Sequence, residues 1–91
     1  SGLQTELGPV IASFNFEAGV NVEAMDQDFT GGSATYDQRL GCAVIQDNRH
    51  NLKLYVWPNG KCVASDARHP NMVAMSAVFW KNQLQENNLL L

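Results

Sequence analysis

The sequence predicts a small α+β domain, one antiparallel sheet of five strands with two helices on one face, in the order β-α-β-β-β-β-α. Three observations point to it. Short runs rich in β-branched and aromatic residues recur from Pro9 to Ser65. From Ser33 onward, Gly41, the polar stretch Asp47 to Asn51, and Pro58-Asn59-Gly60 separate these runs too closely for a crossover helix, so neighbouring strands must be antiparallel. After Asp66 the apolar period changes from strand-like to helical. A length of 91 residues allows one compact domain. Its expected limits are 9–88, between a flexible N-terminal segment at 1–8 and a C-terminal tail at 89–91.

The opening run Pro9 to Phe16 reads PVIASFNF and alternates as a strand, ended by Glu17-Ala18-Gly19. Asn21 suits an N-cap for a short helix over Val22 to Phe29, where Val22, Met25 and Phe29 share one helical face and Gly31-Gly32 supplies the stop. Thr35 to Leu40 and Cys42 to Gln46 follow as strands. Leu52 to Trp57 is the next, with Leu54 and Val56 on one side and Lys53, Tyr55 and Trp57 on the other. Pro58-Asn59-Gly60 is a hairpin turn, because Asn-Gly accepts the positive φ values a tight turn requires. Lys61 to Ser65 returns. Pro70 fits the first turn of a helix running to about Gln85, since its missing N–H costs nothing there. Asn87-Asn88 ends that helix.

Charged residues make up 16% of the chain, against roughly 25% in an average domain. Something other than solvated charge must cover part of the surface, and a protein partner is the first candidate. The net charge of -3 argues against a generic polyanion binder. No apolar run approaches the roughly 18 residues that a membrane-spanning helix needs, so no membrane association is expected. Cys42 and Cys62 fall on strands two steps apart, beyond disulfide reach, and are expected as free thiols. His50 and His69 lie in polar turns away from any acid–base or metal cluster. No catalytic set, metal site or cofactor motif stands out, so an enzyme is not expected.

The stretch Leu54 to Ala67, LYVWPNGKCVASDA, resembles the strand–turn–strand element of the TATA-binding protein family. There an aromatic residue precedes a tight turn, then Gly-Lys, alternating apolar residues and a small-residue exit. Ile11 to Phe16 is similar to that family's first strand, asparagine included. Asp37-Gln38-Arg39-Leu40 followed by Ala43-Val44-Ile45 is similar to the segment leading into its central strands. The resemblance covers about residues 9 to 86 and one repeat of the family.

The resemblance implies a single repeat of a saddle, with a curved antiparallel sheet concave below and helices above. It also implies a nuclear, transcription-related role. In that family the concave face sits on the DNA minor groove and drives apolar wedges between base steps. By position, Leu40 and Trp57 would be the wedges and Asn15 would read acceptors on the groove floor. Val63 would form part of the apolar floor, with Ser65 beside it and Arg39 near a phosphate. Asp66 stands where the family usually has glycine, and Leu40 where it usually has an aromatic. With Glu17 also near the strand end and only Arg39, Lys53 and Lys61 on this side, the cation supply is thin for a minor-groove binder.

The expected main role is therefore a dimerising protein-interaction module. The alternatives are a minor-groove DNA-binding repeat, or an accessory substrate-binding domain of a nucleic-acid enzyme. In the C-terminal helix Val73, Ala77, Trp80 and Leu84 would pack on the sheet. Met72, Met75, Val78 and Phe79 would then face outward as an apolar stripe for a protein partner. The first strand, with Ile11 and Phe14, carries no charge or proline in mid-strand. It is a template for a homodimer or a second repeat.

Overall fold

A computed structural model describes residues 10–91. The segment 1–8 and the expected strand start at Pro9 lie outside the described residues. The chain runs through β1 (Val10–Asn15), a single 3-10 turn (Val22–Ala24), β2 (Gln27–Phe29), β3 (Gly32–Asp37), β4 (Cys42–Asp47), β5 (Leu52–Val56), β6 (Lys61–Ala67) and α1 (Pro70–Glu86). The strands form one sheet in the order β1-β6-β5-β4-β3-β2. Every neighbouring pair is antiparallel.

This corrects the expected count: the sheet has six strands rather than five, and α1 is the single α-helix among the described residues. The expected helix over Val22 to Phe29 is instead the 3-10 turn followed by β2. Eight residues recover little of the cost of helix nucleation, and Asn21 makes no side-chain cap bond to offset it. Gly31, at φ 94°, turns the chain back and pairs Phe29 with Gly32. The glycine pair read as a helix stop is a hairpin turn. The apolar spacing still carried information, because Val22 and Met25 are buried in the same core as Val73, Trp80 and Leu84.

The strand expected over Thr35 to Leu40 sits earlier, at Gly32–Asp37. Asp37 ends it by folding the chain over its own side chain. Its Oδ1 accepts from Arg39 N at 2.9 Å and Leu40 N at 3.2 Å, and Gly41 closes the turn at φ 71°. Arg39 and Leu40 therefore belong to the β3–β4 turn. The β5–β6 hairpin closes through Trp57 N donating to Lys61 O and Gly60 N to Trp57 O, both at 2.9 Å. Gly60 sits at φ 92°, and a Cβ there would overlap the Ala18 carbonyl oxygen.

Alternation assigns the faces. Ala43, Ile45, Leu52, Leu54, Val56, Cys62 and Ala64 point into the core under α1. Lys53, Tyr55, Val63 and Ser65 point to the opposite face, which no element among the described residues covers. α1 starts on Pro70, with His69 as N-cap accepting from Asn71 N at 3.2 Å. It buries Val73, Ser76, Trp80 and Leu84. Leu89 is buried, and Leu90 pairs with Val20 beyond the helix end. No helix among the described residues is long and apolar enough to cross a membrane.

Candidate interaction surfaces

Near its middle α1 is fastened to the β4–β5 turn by one buried carboxylate. Asp47 is the last residue of β4 and fully buried. Its Oδ1 accepts from the backbone N–H groups of Arg49 and His50, each at 2.8 Å, as an aspartate at the head of a turn does. Its Oδ2 accepts from Ser76 Oγ at 2.5 Å, Trp80 Nε1 at 2.8 Å and His50 Nδ1 at 2.8 Å. Burial works to raise its pKa; the bonds from Ser76, His50 and Trp80 outweigh that and hold the carboxyl below its ordinary range. An ionised carboxylate only accepts, so His50 Nδ1 carries a proton.

Around this anchor the rings stack edge to face. Phe29 meets Trp80 at 5.4 Å between centroids, Trp80 meets Phe79 at 5.2 Å, and Phe79 meets His50 at 6.0 Å. The Arg49 guanidinium lies over the Phe79 ring, 4.9 Å from its centroid. Outside the stack a shallow groove of about 550 Å³ runs along α1, lined by Arg49, His50, Met75, Val78, Phe79 and Asn82, with Ala74 beside them. His50 presents only 8% of its side chain, and its Nε2 has no hydrogen-bond partner among the described residues.

The second surface is the uncovered face of the sheet. Register places Ser13, Val63, Tyr55, Val44 and Thr35 in one row across it, and Ser65, Lys53, Gln46 and Ser33 in the next. Trp57 follows β5 on the same side, its ring 6.5 Å from that of Tyr55 and tilted by 32°. Trp57, Asn59, Lys61 and Val63 line a hollow of about 260 Å³.

The residues singled out for DNA fall on this face or its rim. Val63 and Ser65 are half-buried on the sheet and Trp57 is half-buried at the turn. Arg39 and Leu40 are exposed in the β3–β4 turn, Leu40 by 53%. Asn15 stands opposite Lys61 at the end of β1, its Oδ1 occupied by Glu17 N at 2.6 Å. Lys53 and Lys61 are the cations on the sheet itself; Asp28 shares the face, and Glu17 and Asp66 are exposed at its margins.

The third surface is the outer edge of β1, with which no strand pairs among the described residues. Ile11 is 74% exposed there. Phe14 turns the other way, half-buried on the core and edge-on to Phe16 at 5.5 Å. The helix candidates divide likewise. Met75 and Val78 are 59% and 64% exposed, whereas Met72 and Phe79 are partly buried against the core.

Cys42 and Cys62 are free, buried thiols. Burial pushes the Cys62 pKa up to about 12, and burial followed by the Asp37 charge raises that of Cys42, so neither is a ready nucleophile. Among the described residues no three His, Cys, Asp or Glu side chains gather to hold a metal ion. No protein-family model matches the chain, and no curated protein matches its sequence.

Sequence reasoning missed the Asp47–His50–Ser76–Trp80 cluster and placed His50 in an unconnected turn. Two signals were present. Asp47 precedes His50 by three residues at a turn, and Ser76 and Trp80, four apart, put two polar donors on the otherwise apolar inner face of the helix. Paired donors on a buried face imply a buried acceptor.

Proposed function

We propose that this chain is a TATA-binding-protein-like repeat working as a dimerising, transcription-related, nuclear protein-interaction module. The observation that carries this reading is the position of its exposed apolar side chains. Of the five large ones exposed among the described residues, Ile11 lies on the open edge of β1, and Met75 and Val78 lie on the outer face of α1. An unpaired, uncharged strand edge is a template for a second copy or a second repeat. An apolar helix stripe is a surface for a protein partner.

Two features are consistent with the family resemblance, although the first helix it implies is here a 3-10 turn and β2. One face of the antiparallel sheet is roofed by α1 while the other stays open, and β1 sits at the sheet edge. Asp66 takes φ 65° at the bulge between β1 and β6, the left-handed conformation suited to the glycine usual at that position of the family.

Sedimentation of the chain at tens of micromolar tests the module reading. A dimer that Ile11→Lys converts to a monomer, with the circular dichroism spectrum unchanged, supports it. A monomer at all concentrations removes the edge from the proposal. Ile11 is the right probe, because a charge at Phe14 would strike the core as well as the edge.

Minor-groove binding is the second reading, favoured by the grouping of Trp57, Val63, Ser65 and Asn15 on or beside the open face. Its test is a salt-dependent titration against A·T-rich duplex. Binding that Trp57→Ala abolishes would move the function to this face.

A further inference from the structure

Resting on the reading of α1 as a protein-binding face, we propose that the groove between α1 and the β4–β5 turn takes an acidic amphipathic helix of a partner protein. Its apolar side chains, spaced one turn apart, cover Met75, Val78 and the exposed edge of Phe79. A carboxylate meets Arg49, and a hydroxyl or amide N–H donates to His50 Nε2.

The groove itself selects this occupant. Met75, Val78 and Asn82 succeed one another along two turns of α1, the footprint that a helix laid on a helix covers. No sheet edge borders the groove, so an extended peptide would find no backbone ladder to join. Arg49 is held over the Phe79 ring yet forms no ion pair among the described residues. No acidic side chain lines the groove. Asp47, the carboxylate beneath it, is sealed from the groove and already accepts five hydrogen bonds.

His50 is the built part of the site. Its side chain is more than nine-tenths buried and lines the groove, Asp47 fixes its ring through Nδ1, and Nε2 is left without a partner among the described residues. A buried ring nitrogen with no partner calls for one from outside. In the neutral ring that nitrogen accepts, which is why a hydroxyl or amide donor suits it. A second copy of the same groove would match apolar to apolar but bring no carboxylate for Arg49, and a basic helix would be repelled there.

The test is selection of short helical peptides from a displayed library on the 91-residue chain, followed by anisotropy titration of the enriched sequences. The expected consensus has apolar residues one turn apart with Asp or Glu beside them. Binding should fall about tenfold or more for Val78→Glu and for Arg49→Glu, hot-spot losses for a buried apolar anchor and a paired charge. It should fall about threefold for His50→Asn, whose amide can still donate to Asp47 but offers nothing at the Nε2 position. Met75→Glu repeats the apolar test at a second exposed position, and each variant is checked for an unchanged melting temperature. Enriched peptides that are apolar and basic, yet lost on Val78→Glu, would overturn the acidic-helix proposal and leave the helix-face reading standing. Peptides that bind Val78→Glu as well as the parent, or no enrichment at all, would overturn both.

Discussion

The two faces of the sheet treat polarity in opposite ways. On the α1 side, the buried carboxylate is fully answered. Asp47 sits at zero exposure, and five donors from a turn and a helix converge on its two oxygens. On the other side, apolar and aromatic groups are left uncovered, with Tyr55, Trp57, Val63 and Val44 only half-buried by their neighbours on the sheet. A satisfied polar group costs little inside a protein and fixes one arrangement of its donors. An uncovered aromatic contributes little to folding, so its place on the surface calls for another explanation. The first face holds the fold together; the second is open for contact.

The sharpest way to break that contrast is to remove the anchor. Asp47→Ala strands the buried Ser76 hydroxyl, Trp80 N–H and His50 N–H, and frees the turn. The expected loss is about 3–5 kcal/mol, a large part of the roughly 5–14 kcal/mol available to a domain of this size. Chemical denaturation should show it as a fall in midpoint. A loss under about 1 kcal/mol would mean that the five bonds are ornamental. The same carboxylate sets an acid limit. Its folded pKa lies below the unfolded value near 3.9, so the unfolded chain binds the proton more tightly. Its contribution is present above about pH 4 and is lost as the pH falls through the folded pKa. Asp47→Ala should flatten the pH dependence of stability below about pH 4, and an unchanged acid limb would assign acid unfolding to other carboxylates.

The next largest effect belongs to the β5–β6 turn, where it meets the loop after β1. Gly60 combines a φ of 92° with a Cβ position that overlaps the Ala18 carbonyl, while Phe16 N donates to its own carbonyl at 2.9 Å. Gly60→Ala therefore adds left-handed strain to a backbone clash, and about 2–3 kcal/mol should be lost. A melting curve within a degree of the parent would show that the β5–β6 turn and the Glu17–Gly19 loop move apart freely.

How much was legible in the sequence follows the range of the interactions involved. The β5–β6 hairpin and α1 were readable because Pro58-Asn59-Gly60 and Pro70 act on their own neighbours, and the Leu54–Val56 and Val73–Trp80–Leu84 spacings repeat locally. β2 was misread because Val22, Met25 and Phe29 fit a helical face and, equally, a turn plus a short strand. What decides between them is Gly32 packing tightly against β4, where a Cβ would overlap the Gln46 carbonyl, and this contact lies far along the chain. Arg39 and Leu40 slipped from strand to turn because Asp37 bonds its own following backbone, a preference that competes with the ladder. The Asp47 cluster joins residues 29 and 33 positions apart: local patterns mark the turn and the paired donors, but none links the one to the other. Of the candidate surfaces, Ile11, Met75 and Val78 could be read from alternation and helical period. Their neighbours Phe14, Met72 and Phe79 could not, because partial burial depends on what the core leaves uncovered.

The smallest expected effect sharpens the comparison most. Trp57 is a large aromatic whose ring lies near that of Tyr55, on a face that no helix among the described residues covers. Trp57→Ala should therefore cost only about 1 kcal/mol, far below the 3–5 kcal/mol of an aromatic truncated inside a core. Thermal melting of the two variants side by side puts numbers on the contrast, with Asp47→Ala moving the transition strongly and Trp57→Ala moving it little. A Trp57→Ala loss as large as that of Asp47→Ala would make Trp57 a structural residue, and the open face would lose its strongest candidate for contact. A small loss leaves Trp57 unexplained by folding, and every subsequent change in binding on that variant can then be assigned to the surface rather than to the fold.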